Sequence, residues 1–250
     1  MVKYICKNTI MFYYKINHCY FCRSTGDSNN GRLEREMKKL FSFNSNIEKN
    51  AYLNWRTNKH EPVQNMNVVA EGYIQSAILL IRQCLEDNND NKADSVIFPI
   101  IFAINHAIEL YEKSICWSLN ILLGYKAKFN ENHDIRGNWL TAKNKIEEFG
   151  FGYGREKEEF EKMIICLESY IDEISKTIMD DDINKAHCNI DFSRYPLKKR
   201  AKEYHFYLKT YDNVVIDLEN FLYIAENIAN CLDPLAGYYY EKVVESWQQD

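Results

Sequence analysis

Glycine and proline are scarce in this sequence, with only 9 glycines and 4 prolines among 250 residues. So few turn-forming residues argue against a β-sandwich with many tight turns and against long disordered linkers. Hydrophobic residues make up 46% of the chain and charged residues 27%, which are ordinary values for a globular protein. The composition therefore predicts one large folded domain, alone or with an appendage.

Long uninterrupted apolar runs and a hydrophobic leader are also missing. The longest runs, Val96–Ile104 and Ala77–Ile81, fall short of the roughly 18 residues that span a bilayer. Lys3, Lys7 and Lys15 interrupt the apolar residues of the N-terminus, which therefore lacks the core of a signal peptide. We expect a cytoplasmic protein with reduced cysteines and no membrane partner.

An excess of positive charge is absent, because the net charge is -5 at pH 7. A nucleic acid would therefore need a local basic patch for binding. The sequence also contains no glycine-rich phosphate loop between a strand and a helix, no nucleophile elbow and no zinc-protease motif. No cofactor is expected from these patterns.

Apolar residues recur with helical spacing through most of the chain. The pattern predicts helices over Val68–Leu85, Ile97–Gly124, Leu140–Phe149, Phe160–Ile178 and Asp217–Asp233, with a break near Pro234. Alternating residues between 204 and 216 predict a small β-hairpin around Asp212-Asn213. The fold class is therefore all-α, an antiparallel bundle of four to five helices with one hairpin.

The N-terminal part of the chain differs from the rest in composition. Residues 1–62 are predicted to form an extension, with a short hairpin in Met1–Tyr20 followed by a polar wrapping segment. Residues 63–250 are predicted to form the helical domain.

The stretch Ile97–Gly124 is apolar on nearly every face, yet it carries His106, Glu109 and Lys113 along one face. Polar side chains inside a bundle require polar partners. The candidate partners come later in the chain: His133, Asp134 and Arg194. A Glu–His pair with this spacing could also bind a metal, but the other helices offer no facing Glu-x-x-His. A structural polar network is therefore the preferred interpretation.

Three short motifs occur in the order seen in HEPN domains (higher eukaryote and prokaryote nucleotide-binding). Asn105–Lys113 resembles the core helix of that family, with a Glu and then a Lys one turn later. His133-Asp134-Ile135 resembles the family's His-Asp-Leu, and Arg194-Tyr195-Pro196 resembles its Arg-Tyr-Pro. The resemblance covers residues 97–196 and implies a helical bundle, usually a homodimer, in a prokaryotic toxin or anti-phage system with possible partner proteins.

Many HEPN proteins resemble metal-independent RNA endonucleases, with an Arg, four to six residues and then a His. Arg200 and His205 are the one pair in this chain that matches that spacing. By this resemblance His205 would transfer protons and Arg200 would stabilise phosphate charge in the transition state. The pair follows the Arg-Tyr-Pro motif, whereas the family places it at the start of a helix.

The segment 194–205 is basic and carries aromatic rings, a combination that suits single-stranded RNA or a nucleotide. Its candidate binding residues are Arg194, Tyr195, Lys198, Lys199 and Lys202. A solvated basic loop is the alternative interpretation. Arg194 could instead turn inward and pair with Glu109 or Asp134.

A zinc site is a weaker alternative near the N-terminus, where Cys6, His18, Cys19 and Cys22 could supply four ligands. The second pair of ligands that usually accompanies a Cys-x-x-Cys is missing, so free thiols are favoured. Three functional hypotheses remain from the sequence. The first is a metal-independent RNA endonuclease, and the second is a non-catalytic module that binds a nucleotide or a partner protein. The third is a scaffold subunit whose extension, residues 1–62, docks a neighbouring protein.

Overall fold

The computed structural model describes residues 38–129, 131–151, 157–181, 190–196, 204–210 and 212–248. The helices in these ranges are α1 Pro62–Glu86, α2 Ala93–Leu122, α3 Ile135–Phe149, α4 Lys157–Asp181, α5 Phe206–Lys209 and α6 Leu218–Trp247. Three 3-10 turns accompany them at Ile47–Lys49, Asn89–Asn91 and Ile190–Ser193. No strand occurs within these ranges, so the mostly helical character expected from the sequence is confirmed.

Helix α2 lies at the centre of the helical bundle, because α1, α3 and α6 all pack against it. The 3-10 turn at Ile190–Ser193 also contacts α2, and α4 packs on α3 and α6. Apolar side chains of α2 are buried all along its length, including Ile100, Ile104, Ile108 and Ile115. A helix that is apolar on nearly every face can be stable only in such a position.

Gly124 ends the central helix as its position in the sequence predicts. It adopts a φ of 71°, the left-handed conformation that glycine accepts without strain. The N–H of Tyr125 then donates to the carbonyl of Asn120 at 2.7 Å, which satisfies one of the last carbonyls of α2. This turn directs the chain into the loop that carries His133.

The break predicted near Pro234 is wrong, because α6 continues through this residue to Trp247. Proline removes one helical hydrogen bond, but packing on both sides of it outweighs that local loss. Leu232, Leu235 and Tyr239 are all buried against the bundle. Asp217 caps the start of the helix by accepting from the N–H groups of Glu219 and Asn220.

The β-hairpin predicted over residues 204–216 is also wrong in the described part of that segment. Phe206–Lys209 form one turn of α-helix, and residues 212–217 have no regular structure. Phe206 and Tyr207 pack against the core, so tertiary contacts outweigh the alternating pattern of the sequence. The hairpin predicted in Met1–Tyr20 lies outside the described residues.

The chain divides into two compact units between Ala51 and Tyr52. In the first unit, Asn44 and Asn50 close a small loop around the first 3-10 turn. The N–H of Asn44 donates to Asn50 Oδ1 at 2.8 Å, and Asn50 Nδ2 donates to the carbonyl of Asn44 at 2.8 Å. In the second unit, residues 52–61 belong to the helical bundle, where Tyr240 donates its hydroxyl hydrogen bond to Glu61 at 2.7 Å.

Two helices, α1 and α2, are long and apolar enough to cross a membrane by length and composition alone. The sequence shows no uninterrupted apolar run of that length, but both helices qualify when hydropathy is averaged over 18 residues. The core helix of a soluble protein passes the same test. In α2, 50% of the qualifying window is buried within the protein.

Replacing Ile108 by alanine should destabilise the fold strongly. Ile108 is fully buried in α2, and such a truncation leaves a cavity that costs about 2–5 kcal/mol. Urea unfolding followed by circular dichroism measures this loss. Ile165→Ala is the matched control, because Ile165 is 59% exposed on α4, and equal losses in the two variants would contradict the central position of α2.

Candidate functional site

The polar face of α2 is organised around the carboxylate of Glu109, whose side chain is 3% exposed. Lys113, one turn later, donates from Nζ to Glu109 Oε1 at 2.6 Å. His133 comes from the loop before α3, and its Nδ1 lies 2.9 Å from the same oxygen. His106, one turn earlier, places its Nδ1 4.0 Å from Glu109 Oε2. Three residues singled out in the sequence, His106, Lys113 and His133, therefore surround the buried carboxylate of a fourth, Glu109.

Local structure explains why His133 reaches this position. The next residue, Asp134, caps α3 by accepting from the N–H of Gly137 at 3.2 Å. A Cβ atom at position 137 would lie 2.8 Å from the Asp134 carboxylate, so glycine leaves the space that the cap occupies. The cap holds the start of α3, and with it the backbone of His133 beside α2.

The contact between Glu109 and His133 joins a buried group to an exposed one. The side chain of His133 is 63% exposed, whereas Glu109 is enclosed and already compensated by Lys113. Because the carboxylate accepts a hydrogen bond, the neutral His133 ring carries its hydrogen on Nδ1. The lone pair of the ring is then on Nε2. A histidine held in this way is suited to accept and return protons at Nε2.

His106 has a different environment from His133. Its ring stacks on Phe102, with centroids 5.5 Å apart, and meets the edge of Tyr73 at 4.6 Å. Burial lowers the pKa of His106 and outweighs the attraction of Glu109, while the positive charge of Lys113 lowers it further. His106 is therefore mainly neutral near pH 7 and contributes packing to the site.

Arg194 pairs with a different carboxylate from those that the sequence suggests. Its guanidinium forms an ion pair with Asp191, whereas Glu109 and Asp134 were the predicted partners. The 3-10 turn at Ile190–Ser193 brings Asp191 into reach, and so a local contact replaces the distant one. The guanidinium also lies 5.6 Å from the centre of the Phe102 ring, and its charge contributes to the lowered pKa of His106.

His205, the predicted catalytic histidine, is 8% exposed. Its ring stacks on Tyr207 with centroids 6.3 Å apart and approaches Phe192 at 6.5 Å. Its predicted partner Arg200 lies outside the described residues, as do Lys198, Lys199 and Lys202. Tyr195 is 47% exposed and lies beside the Arg194 guanidinium at 5.7 Å.

The alternative zinc ligands Cys6, His18, Cys19 and Cys22 also lie outside the described residues. Within the described ranges, no group of three or more His, Cys, Asp or Glu side chains is placed to hold a metal ion.

Two buried polar residues were not singled out in the sequence, although both lie close to this site. Glu112 on α2 is fully buried, and Asn138 on α3 is 2% exposed. Burial raises the pKa of Glu112 well above its ordinary value, and the charges of Glu109 and Asp134 add to this effect. The available signal was the apolar character of the middle of α2, because a charged residue surrounded by apolar positions on every face of a helix is expected to be buried.

Comparisons of this chain with protein-family models, with curated proteins and with solved structures find no match.

Replacing Lys113 by methionine should destabilise the protein by about 3–5 kcal/mol, because Glu109 would stay buried without its closest cation. Adding Glu109→Gln to this variant should restore part of the loss, since the amide carries no charge. Urea unfolding of the two single variants and the double variant measures the coupling.

Lys143→Met is the matched control for Lys113→Met. Lys143 pairs with Glu168 at 2.7 Å on a partly exposed surface, where an ion pair contributes about 1 kcal/mol or less. A loss in Lys113→Met no larger than that in Lys143→Met would contradict the importance of the Glu109 pair.

Glu112→Gln should make the protein more stable relative to the wild type as the pH rises. The pKa of Glu112 is higher in the folded state than in the unfolded chain, so the folded state binds the proton more tightly. The stability from this proton is complete below the ordinary pKa of 4.5 and is lost as the pH rises through the folded value. Lys113 opposes the shift, whereas Glu109 and Asp134 support it.

The measurement is the free energy of unfolding of both proteins at pH 5, 7 and 9, pH values chosen to lie above that ordinary pKa. A difference that stays constant over this range would show that Glu112 titrates normally in the folded protein.

Proposed function

We propose that this chain is a HEPN-like protein of a prokaryotic defence or toxin system that cleaves RNA without a metal ion. It acts in the cytoplasm as a homodimer. The observation that carries the proposal is the exposed His133 held at 2.9 Å by the buried carboxylate of Glu109.

The positions of the three motifs support the kinship with HEPN domains. The Glu and Lys of the first motif lie in the buried centre of α2. The His-Asp of the second lies at the start of α3, where Asp134 is the helix cap. The Arg of the third follows a 3-10 turn that packs on α2. These segments are separate in the sequence and are brought together by contacts with one helix.

The structure favours His133 over His205 as the residue that moves protons. The His133 side chain is 63% exposed, so a phosphodiester can approach its ring. His205 is only 8% exposed and lies beside Phe192 and Tyr207, which leaves little room for a substrate. In the alternative in which His205 is the catalytic histidine, Arg200 is its proposed partner.

The chemistry suited to this histidine is cleavage by the neighbouring 2′-hydroxyl of RNA. The 2′-oxygen attacks phosphorus, the bond to the 5′-oxygen breaks, and the products are a 2′,3′-cyclic phosphate and a 5′-hydroxyl. His133 Nε2 of one copy takes the proton of the 2′-hydroxyl, and His133 of the partner subunit donates a proton to the leaving 5′-oxygen. Arg194, 34% exposed, supplies positive charge for the phosphate.

A non-catalytic binding module is the second candidate function. The observation that favours it is the exposed pair of Arg194 and Tyr195, a cation and a ring beside each other. Such a pair can hold a phosphate and stack on a base without any bond being broken. Nucleotides, RNA and a partner protein of a defence complex remain its candidate ligands.

Purified protein should cleave a fluorescently labelled single-stranded RNA in the presence of EDTA. His133→Gln should lower the cleavage rate about 100-fold or more, because a positioned acid–base group contributes about 10²–10⁴-fold. Gel analysis of the products should show a cyclic phosphate end.

His60→Gln is the control variant, since His60 is exposed and lies outside the polar face of α2. Loss of cleavage in His205→Gln with full activity in His133→Gln would move the active site to the Arg200–His205 pair. RNA that binds and stays intact would favour the non-catalytic module. Equal rates in all variants would contradict the catalytic proposal.

A further inference from the structure

A cavity of about 190 Å³ lies between α2, α3 and the loop that joins them. Its walls include Glu112 and Lys113 from α2, Lys128 and Phe129 from the loop, and Asn138 and Lys145 from α3. The loop is tied to α2 where Asn120 Nδ2 donates to the carbonyl of Lys128 at 2.6 Å. The cavity is therefore bounded by two packed helices and a fixed connection.

Two residues that line this cavity carry buried polar atoms whose hydrogen bonds the described residues leave unsatisfied. Both carboxyl oxygens of Glu112 and both polar atoms of Asn138 lack a hydrogen-bond partner in the part of the chain that the structure describes. Glu112 is 0% exposed and Asn138 is 2% exposed. Buried polar groups normally have partners, because leaving one unpaired costs about 1–3 kcal/mol. Two such residues lining one cavity indicate that a ligand supplies the missing bonds.

The charge of the walls indicates the kind of ligand. Lys128 and Lys145 contribute two cations, and Lys113 contributes a third whose charge is already paired with Glu109. Glu112 is the single acid among the described residues that line the cavity. Burial raises the pKa of Glu112 well above its ordinary value and so favours the protonated carboxyl. In that form the carboxyl can donate a hydrogen bond, as the amide of Asn138 can. Hydrogen-bond donors and cations therefore dominate the walls, which favours a negatively charged ligand that accepts hydrogen bonds.

The size of the cavity limits the ligand further. Sites for drug-sized molecules measure roughly 300–1,000 Å³, so this cavity suits a smaller group. Phe129 forms part of the wall and also packs against Trp117, with centroids 5.3 Å apart. We infer that the cavity lined by Glu112 and Asn138 is a binding site for a small oxyanion, either inorganic phosphate or sulfate or a short organic acid.

This cavity adjoins the surface on which RNA cleavage is proposed, but anion binding does not depend on that activity. Lys113 belongs to both regions, because its Nζ binds Glu109 and lies 5.4 Å from the centre of the Phe129 ring. The remaining cations of the cavity, Lys128 and Lys145, are not used by the Glu109–His133 pair. Binding can therefore be measured in the absence of RNA.

The test titrates the full-length protein with phosphate, sulfate or malonate at constant ionic strength, with chloride as the reference anion. At least one of the three should raise the thermal unfolding midpoint in a saturable way, and isothermal titration should then give its affinity. The anion with the tightest binding distinguishes an inorganic ligand from an organic acid. No saturable response beyond that of chloride would overturn the inference.

Lys145→Ala should weaken binding about tenfold or more, whereas Lys143→Ala should bind like the wild type. The two lysines lie on the same helix, but Lys143 pairs with Glu168 and does not line the cavity. Equal affinities in these variants would overturn the inference even if the anion binds elsewhere.

Glu112→Gln keeps a hydrogen-bond donor of the same size and should retain binding, while Glu112→Leu should lose it. Retained binding in the leucine variant would show that Glu112 does not contact the anion. If Glu112→Leu does not fold, the comparison of Lys145 with Lys143 still decides the result.

Discussion

The burial of a carboxylate in the middle of an apolar helix is the constraint on which the rest of this structure depends. Glu109 is almost completely enclosed, and an isolated buried charge would cost several kcal/mol or more. Lys113 and His133 compensate it through a shared oxygen. Because His133 comes from another part of the chain, this compensation also sets where the loop and the start of α3 lie on α2.

The same helix presents two chemically different surroundings on either side of this pair. On one side, the buried carboxylate contacts the exposed imidazole of His133, and an imidazole held in this way is suited to proton transfer. Toward Glu112 the polar groups are enclosed in a cavity with lysines at its walls. Lys113 contacts both regions, so a ligand in the cavity and a substrate at His133 would act on one shared cation.

Much of the helical architecture could be predicted from residue spacing. The stripe that begins near Val68 and the all-apolar stretch after Ile97 correspond to α1 and α2, with shifts of a few residues at their ends. The predictions failed where local signals opposed packing. Pro234 suggested a break in α6, yet the helix continues because the side chains on both sides of the proline are buried. Alternating residues near Tyr204 suggested a hairpin, yet packing of the neighbouring side chains gives one helical turn followed by irregular structure.

The sequence alone determined that α2 is central and that Glu109 needs polar partners, because a helix that is apolar on nearly every face must be buried and a buried charge must be compensated. It also identified His133 as a candidate partner. Only the tertiary structure decided that Arg194 pairs with Asp191, that His205 is enclosed by aromatic rings, and that Glu112 and Asn138 line one cavity. These features result from contacts between distant segments, whose distances no local pattern in the sequence encodes.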